Sequence, residues 1–310
     1  MKVGIGLPTT IPGAGPDLVL DWARAADAGP FSCVAVVDRV VYPSYEPLIA
    51  LASAAAVTHR VGLMTSVLLA PLRNATLLAK QAASLDVLSH GRLTLGMAVG
   101  GRTDDYRAVS ASFHDRGRRF DEQLALMKQI WAGRPVADGI GAVGPTPARQ
   151  GGPELLIGGY LPAAVERVGR WGDGYVHEGP PTEAAELYRQ AEQSWKTAGR
   201  KGRPRFVGAF YFGLGPDAAQ KASATLADYY GFALQPIPQQ ASASLRELAA
   251  LRAPAVKAII ETPPTTPEAV KRVVQSCIDV GMDEVIAYPA IADLEQVDRL
   301  AEVVASITGV

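Results

Sequence analysis

Residues 61–99 read VGLMTSVLLAPLRNATLLAKQAASLDVLSHGRLTLGMAV, and this stretch decides the fold. Val61–Val67 and Leu93–Val99 are short runs of apolar and β-branched residues, as expected for strands. The segment Ala75–Ser89 between them has the length and apolar spacing of a helix. An apolar strand, a helix and a second apolar strand in succession are typical of a parallel β-α-β unit.

The same alternation continues on both sides of this unit. The pattern predicts eight strands, at Lys2–Leu7, Cys33–Val37, Val61–Val67, Leu93–Val99, Glu154–Ile157, Gly174–Val176, Phe206–Phe212 and Glu284–Ala287. Helical patterns follow nearly all of them, and the first helix, Asp17–Ala28, has Asp17 at a capping position. Eight such units in 310 residues are typical of an α/β protein with the (β/α)8 TIM barrel fold. Because no linker divides the chain, we expect a single barrel domain over 1–310.

Two regions interrupt the alternation and are expected to be insertions. Residues 133–153 are rich in Gly and Pro and are predicted to form an irregular loop. In 232–264, a helix at 243–251 and a strand at Val256–Ile260 are predicted among several prolines.

The composition argues against several classes of partner. Lys and Arg number 30 against 31 Asp and Glu, so the net charge of −1 gives no reason to expect nucleic acid or an anionic membrane. No segment has the features of a signal peptide or of a membrane-spanning helix, and we expect a cytoplasmic protein. Cys33 and Cys277 are predicted to be buried thiols, and the four histidines lack metal-ligand spacing. No metal site is predicted.

The familiar catalytic motifs do not account for a function. Residues 139–144, GIGAVG, match the pattern G-x-G-x-x-G, but no strand precedes them and Pro145 prevents the helix that would hold a pyrophosphate. No activated nucleophile or metal cluster is evident. Demanding chemistry would therefore have to come from a bound cofactor.

In a TIM barrel the active site lies at the carboxyl ends of the strands. Asp38 and Arg39 follow the second strand, where they are either part of the site or a structural ion pair. His177 follows the sixth strand, as a proton donor or as a loop histidine facing solvent. Gly158 and Gly159 end the fifth strand, either for close approach of a phosphate to backbone N–H groups or for a tight turn.

Four long stretches resemble the luciferase-like, flavin-dependent oxidoreductases. These are residues 44–106 (SYEPLIALASAAAVTHRVGLMTSVLLAPLRNATLLAKQAASLDVLSHGRLTLGMAVGGRTDDY), 116–133 (RGRRFDEQLALMKQIWAG), 153–176 (PELLIGGYLPAAVERVGRWGDGYV) and 266–289 (TPEAVKRVVQSCIDVGMDEVIAYP). They are collinear and extend from residue 44 to residue 289, about three quarters of the chain. The resemblance implies a bacterial luciferase-like barrel that holds FMN or the deazaflavin F420, in its reduced form, at the strand ends.

The resemblance also implies roles for individual residues. A non-proline cis peptide against the cofactor ring corresponds here to the bond between Ser66 and Val67. A backbone clamp for the cofactor phosphate corresponds to Gly158, Gly159 and Tyr160. The cofactor-binding set predicted in this way consists of Asp38, Ser66, Val67, Gly100, Gly101, Arg102, Gly158, Gly159 and Tyr160, with Arg102 and its two glycines along the ribityl chain or the phosphate.

The chain departs from its relatives at two places. F420-dependent members commonly have an Asp-His pair after the second strand, whereas this chain has Asp38-Arg39. Because an arginine cannot exchange a proton at neutral pH, Arg39 would be an electrostatic anchor. His177 is the substitute proton donor, so Arg39 and His177 are the candidate catalytic residues. Luciferases carry a Cys-Arg pair after the fourth strand, and this chain has Ala98-Val99.

We therefore expect an F420-dependent enzyme that transfers hydride to a small organic substrate. One alternative is a monooxygenase that uses O2 and reduced FMN, with a separate reductase that supplies the reduced cofactor. The other alternative is a barrel that binds a ligand without catalysis. A homodimer is expected from the resemblance. The tyrosines that could line a substrate pocket are Tyr42, Tyr45, Tyr106, Tyr229 and Tyr230.

Overall fold

A computed structural model describes residues 1–235 and 243–308. Eight parallel strands form a closed barrel in chain order, with β8 paired to β1. The strands are β1 (Lys2–Gly6), β2 (Cys33–Val36), β3 (Gly62–Leu69), β4 (Leu93–Ala98), β5 (Glu154–Gly158), β6 (Gly174–Glu178), β7 (Arg205–Phe212) and β8 (Glu284–Pro289). The predicted (β/α)8 barrel is confirmed.

Helices surround this barrel and add an outer layer. They are α1 (Pro16–Ala28), α2 (Pro47–Val57), α3 (Ala75–Leu88), α4 (Thr103–Ala108), α5 (Arg116–Trp131), α6 (Pro162–Trp171), α7 (Pro181–Thr197), α8 (Ala218–Tyr230), α9 (Ala243–Glu261), α10 (Pro267–Asp279) and α11 (Glu295–Thr308). Short 3₁₀ helices occur at Ala70–Leu72 and Gly231–Leu234. Residues 133–153 contain no helix or strand, as predicted.

The alternation of strand residues produces two separate cores. In β6, Tyr175 packs in the core between strands and helices, whereas Val176 packs in the core inside the barrel. Tyr211 of β7 and Tyr288 of β8 also lie inside, toward the carboxyl ends of their strands. Gly6 of β1 leaves room for the Tyr288 ring, because a Cβ at position 6 would overlap it. The carboxyl end of the barrel is thus filled by aromatic rings.

Two local predictions were wrong. Asp17 lies in the first turn of α1 rather than at its N-cap, which is Gly15, because Pro16 occupies the first helical position. Val256–Ile260 is the last part of α9 rather than a strand. Its apolar residues follow an alanine-rich segment that favours a helix, and the helix continues through Pro254. The stretch 236–242 of the predicted insertion lies outside the described residues.

The helices α8 and α9, with the 3₁₀ helix Gly231–Leu234 between them, cover the carboxyl ends of the strands. We call these three elements the cap. Tyr229 and Tyr230 of α8 and Val256 of α9 belong to the same buried cluster as the barrel interior. The cap therefore lies directly over the end of the barrel where a TIM barrel has its active site.

Among the described residues, none of the helices has the length and apolar composition that crossing a bilayer requires. The same residues contain no group of His, Cys, Asp or Glu side chains arranged to hold a metal ion. Cys33 and Cys277 are both buried and unpaired by a disulfide, as predicted.

Candidate active site

The floor of the candidate site is formed where β3, β4 and β5 end. The peptide bond between Ser66 and Val67 is cis, as the resemblance implied. The Val67 side chain lies against Gly158, where a Cβ would come within 2.9 Å of Val67 Cγ1 and 3.6 Å of the Cβ of Ala98. Small and apolar groups thus give this floor a surface that a flat ring could contact.

A network of two hydroxyl groups and one carboxylate joins the strand ends to the cap. The Tyr230 hydroxyl lies 2.7 Å from Glu178 Oε1 and 2.8 Å from the Tyr211 hydroxyl. Because Tyr230 has one proton and the carboxylate is the stronger acceptor, Tyr211 is the donor in the second contact. The network joins β6, β7 and α8.

The Tyr288 hydroxyl remains outside this network. It is buried next to the Ser66 side chain, in a contact that lacks the alignment of a regular hydrogen bond. Burial raises the pKa of Tyr288 well above its ordinary value, so the phenol keeps its proton at neutral pH. Tyr288 is therefore a neutral donor inside the barrel, with Ser66 as its polar neighbour.

Asp38 faces away from the barrel axis and pairs with a residue of the next connection. Its carboxylate accepts hydrogen bonds from Arg73 Nη1 at 2.6 Å and from the Leu69 amide at 2.8 Å. The side chain is only 2% exposed. Asp38 thus fixes the chain that follows β3, and it does not form the ion pair with Arg39 that was one interpretation of the sequence. Its predicted contact with a cofactor stays a prediction.

Arg39 lies under the cap, among aromatic rings. Its guanidinium carbon is 4.3 Å from the centre of the Tyr42 ring and 4.8 Å from that of Phe232, and Nη1 donates to the Tyr229 carbonyl. Burial, and then the charge of Arg102, lowers its pKa. The side chain remains a cation at neutral pH, as an arginine does in proteins.

Arg102 stands on the other side of Phe232, at the end of the loop that follows β4. Its guanidinium carbon is 3.7 Å from the centre of that ring. It forms ion pairs with Asp104 and with Asp105, the latter at 3.2 Å. Gly100, in the same loop, has φ +72°, a conformation that favours glycine. The predicted loop thus places a cation beside the mouth.

The loop after β5 is held by the residues of β6. Gly159 has a φ of +154° and its carbonyl accepts a hydrogen bond from the Tyr175 hydroxyl at 2.7 Å. The Tyr160 hydroxyl donates to the Glu178 carbonyl at 3.0 Å. Pro162 opens α6 at the first helical position, where proline is favoured.

His177 belongs to this supporting layer rather than to the barrel interior. It lies on the same side of β6 as Tyr175, whose hydroxyl is 3.1 Å from His177 Nδ1. Since the Tyr175 proton goes to Gly159, His177 donates from Nδ1, and the lone pair of the neutral ring is on Nε2. Nε2 is buried and lacks a hydrogen-bond partner in the described part of the chain.

The predicted role of His177 as a proton donor does not fit this environment. Burial, and then the charge of Arg252, lowers the pKa of His177 to about 4. The imidazole is therefore neutral at pH 7 and has no proton on its free nitrogen to give. Its placement supports a positioning role, because it holds the tyrosine that holds Gly159.

One cation at this end of the barrel has no counterpart in the sequence interpretation. Arg252 of α9 stacks on Tyr160, with its guanidinium carbon 4.4 Å from the ring centre, and lies 3.7 Å from Glu178. It joins the cap to the loop after β5. Helical periodicity could not reveal it, because the contact depends on how α9 crosses the barrel. Tyr288, by contrast, follows from the sequence as a residue at the end of the eighth strand.

The tyrosines predicted to line a pocket divide into two groups. Tyr42, Tyr229 and Tyr230 lie together beneath the cap, and the rings of Tyr42 and Tyr229 are 5.1 Å apart. Tyr45 donates to the Ala14 carbonyl at the edge of a different surface cavity. Tyr106 donates to the carbonyl of Val99 behind β4.

The cap closes the strand ends in this structure. A cavity of about 420 Å³ lies between α10 and α11, and another of about 230 Å³ lies beside the β1–α1 loop; neither includes residues 158–160. A cofactor at the strand ends would lie beneath the cap.

The groups at the strand ends match the chemistry of a flavin-type cofactor. The apolar floor at Val67 and Gly158 suits one face of a planar ring. Buried donors on Tyr288 and Arg102 suit oxygen atoms of such a ligand. The residues present therefore fit a planar ring with polar edges and an anionic tail.

Similarity to known proteins identifies the family of this chain. The family model of the luciferase-like monooxygenases matches residues 1–287. A protein of Mycobacterium tuberculosis without an assigned function is 29% identical over 206 residues, which are 57% of this chain and 71% of that protein. The F420-dependent hydroxymycolic acid dehydrogenase of the same organism is 26% identical over 171 residues, 52% of this chain and 46% of the dehydrogenase.

Among solved structures, monooxygenase RslO1 from Streptomyces bottropensis superimposes with a TM-score of 0.75 at 24% identity. The superposition covers 99% of this chain and 98% of RslO1, and it shows a shared fold. This chain spans about half of the hydroxymycolic acid dehydrogenase, so the likeness to that enzyme is partial. Because the family model extends over nearly the whole sequence, the chain belongs to the luciferase-like monooxygenase family.

Proposed function

We propose that this protein is a two-electron oxidoreductase that binds reduced F420 at the strand ends and reduces a small organic substrate by hydride transfer. The observation that carries the proposal is the contact of Val67 with Gly158, together with the buried Tyr288 hydroxyl next to Ser66. It supplies an apolar surface for a ring and a neutral donor beside it. The partial likeness to an F420-dependent dehydrogenase supports the choice of cofactor.

The residues that would hold the cofactor lie in three loops. Val67 would contact one face of the ring, with Ser66 beside it. Gly100, Gly101 and Arg102 would lie along the ribityl chain or its phosphate. The loop of Gly158, Gly159 and Tyr160 would present backbone N–H groups and the start of α6 to the phosphate.

Bound F420 supplies a hydride to a carbon of the substrate. The chain's own contribution is to bind, to orient and to exclude water. Tyr288 would donate a hydrogen bond to a ligand oxygen, since its phenol is protonated at neutral pH. His177 would keep the Gly159 loop in place through Tyr175, and it would not deliver a proton. The tyrosines of the cap would shield the reacting atoms from solvent.

A second candidate is a monooxygenase that uses reduced FMN and O2. The family description and the likeness of fold to RslO1 favour it. The same apolar floor and the same closed cap would serve it, because oxygen insertion also requires exclusion of water. A barrel that binds ligand without turnover is the third reading, motivated by Arg39 in the place of a histidine.

Anaerobic titration of the purified chain with reduced F420 and with reduced FMN tests the proposal. We expect reduced F420 to bind with micromolar or tighter affinity and reduced FMN at least tenfold more weakly. The reverse order would replace hydride transfer by the monooxygenase. Binding of neither cofactor would refute both enzymatic readings.

The expectation of a homodimer also stays a proposal. Two helices on one side of the barrel leave large apolar residues in solvent: Ile49 of α2 is 67% exposed and Leu77 of α3 is 59% exposed. A second copy of the chain would cover them. Sedimentation equilibrium of the wild type and of Leu77→Glu checks this, and a monomeric wild type would contradict it.

A further inference from the structure

Arg39 brings a positive charge under the cap, with Asp105 as the carboxylate that acts on it. In β2 the interior core includes Ala35 and Val37, so alternation places residue 39 on the inner side as well. In the described part of the chain Arg39 forms no ion pair with Asp or Glu, and Asp38 has turned away to Arg73. Its direct contacts are aromatic faces and the Tyr229 carbonyl, and the Asp105 carboxylate acts on it without forming an ion pair.

A second arginine reaches the same place from β4. Arg39 and Arg102 both lie over the ring of Phe232, at 4.8 and 3.7 Å from its centre. Two like charges so close repel each other, and the repulsion contributes to the lowered pKa of Arg39. Asp104 and Asp105 both form ion pairs with Arg102, whereas Arg39 forms none with the residues that the structure describes.

Several N–H groups of the two guanidinium ions have no acceptor. Arg39 Nε, Arg102 Nε and Arg102 Nη1 are buried and make no hydrogen bond to any residue in 1–235 or 243–308. Nε of Arg102 is within 3.2 Å of Asp105, but the alignment is not that of a hydrogen bond. A buried donor left unpaired is costly, and a charged one more so.

Packing against aromatic rings does not explain these groups. A ring contacts the flat face of a guanidinium ion, while all five N–H bonds lie in the plane of that ion and point past the ring. Stacking on Phe232 and Tyr42 therefore leaves the donors free. An acceptor with two oxygen atoms is what such a planar fork binds best.

We propose that Arg39 and Arg102 form a subsite for an oxyanion, a carboxylate or a phosphate monoester, carried by a ligand with an aromatic or apolar body. Tyr42, Tyr229 and Phe232 surround the subsite and suit such a body. The inference rests on the proposed function, because this subsite lies at the same end of the barrel as the proposed cofactor site. The oxyanion belongs either to the substrate or to the tail of the cofactor.

The test uses small probes on the full chain without cofactor. Benzoate and phenyl phosphate are titrated by ligand-observed NMR, with benzamide as the neutral analogue of benzoate. We expect at least one of the two anions to bind at least tenfold more tightly than benzamide. Arg39→Gln should weaken that anion at least tenfold, and Arg39→Lys should weaken it less. Arg107→Gln, which removes an exposed cation on α4, is the matched control and should change nothing.

Anions that bind no better than benzamide would overturn the subsite, and so would equal effects of Arg39→Gln and Arg107→Gln. An unchanged melting temperature of Arg39→Gln shows that a loss of binding is local. Because these titrations contain no cofactor, they can succeed even where the proposed redox function fails.

A second arm identifies the source of the oxyanion. With saturating F420 or FMN present, continued binding of the anionic probe and an unchanged cofactor affinity of Arg39→Gln assign the subsite to the substrate. Competition between probe and cofactor, together with at least tenfold weaker cofactor binding by Arg39→Gln, assigns it to the cofactor tail. The proposal would be contradicted if the cofactor does not displace the probe and Arg39→Gln binds both the probe and the cofactor as tightly as the wild type does.

Discussion

Val67 and Gly158 meet across the end of the barrel so closely that a Cβ at position 158 would lie 2.9 Å from Val67 Cγ1. The two residues come from β3 and β5, which are separated in the barrel by β4. Their contact brings the floor of the candidate site and the predicted phosphate loop into one place. The predictions below follow from this contact and from the side chains around it.

Gly158→Val should weaken cofactor binding at least tenfold, which corresponds to about 1.4 kcal/mol. The added side chain has no room beside Val67 and would push it, or the following loop, into the ligand's place. Fluorescence titration with F420 and with FMN measures the change. Gly141→Val is the control, because position 141 has open space. Equal affinities in the two variants would remove Gly158 from the site.

Asp38→Asn should destabilise the fold by about 2–4 kcal/mol, because it removes the negative charge that pairs with Arg73 at a buried position. Urea unfolding measures the loss. The exposed pair of Asp21 and Arg24 provides the control, and Asp21→Asn should cost less than about 0.5 kcal/mol. Weaker cofactor binding with an unchanged unfolding midpoint would instead support the direct contact predicted from the sequence.

His177 should make stability depend on pH between about 4 and 6.5. Its pKa is about 4 in the folded chain and near 6.5 when unfolded, so the unfolded state binds the proton more tightly. Stability should therefore rise with pH through this window, by up to about 3 kcal/mol, and be level above it. Urea unfolding of His177→Gln should lack this component, whereas the exposed His90→Gln should retain it. Identical pH profiles of His177→Gln and wild type would show that His177 is not buried as a neutral ring.

Tyr288→Phe and Tyr230→Phe should have opposite effects on stability. Tyr288→Phe removes a buried hydroxyl that lacks a regular hydrogen bond and should leave the free energy of unfolding unchanged or raise it by about 1 kcal/mol. Tyr230→Phe breaks the hydrogen bond to Glu178 and should lower it by about 1–3 kcal/mol. Thermal unfolding distinguishes them. Tyr288→Phe should also bind the cofactor or the substrate more weakly than the wild type. A Tyr288→Phe variant that loses stability but keeps its affinity would contradict the role of Tyr288 as a donor to the ligand.

The sequence was sufficient for the framework, because eight apolar strands alternating with amphipathic helices have few ways to close. It was also sufficient for the position of the cis bond between Ser66 and Val67, through the resemblance. It placed Arg39 and His177 at strand ends, but it did not predict whether each side chain lies inside the barrel or on its outer side. Counting two residues along β6 from Tyr175 would have put His177 on the outer side.

The cap could not be predicted from the sequence, and the reason is physical. The apolar run at Val256–Ile260 suits a strand or a buried helix equally, and only packing over the barrel decides between them. The partners that matter most at the mouth come from distant segments: Arg73 binds Asp38, and Arg252 stacks on Tyr160. No local pattern marks such pairs, because they depend on how loops of different strands meet.

The most direct test of the central claim is a crystal structure of the chain grown with F420. The account predicts that the ring contacts Val67 within the barrel mouth, that the phosphate lies at residues 159–160, and that the cofactor lies beneath the cap. A ligand bound elsewhere, for instance in the cavity between α10 and α11, would contradict it.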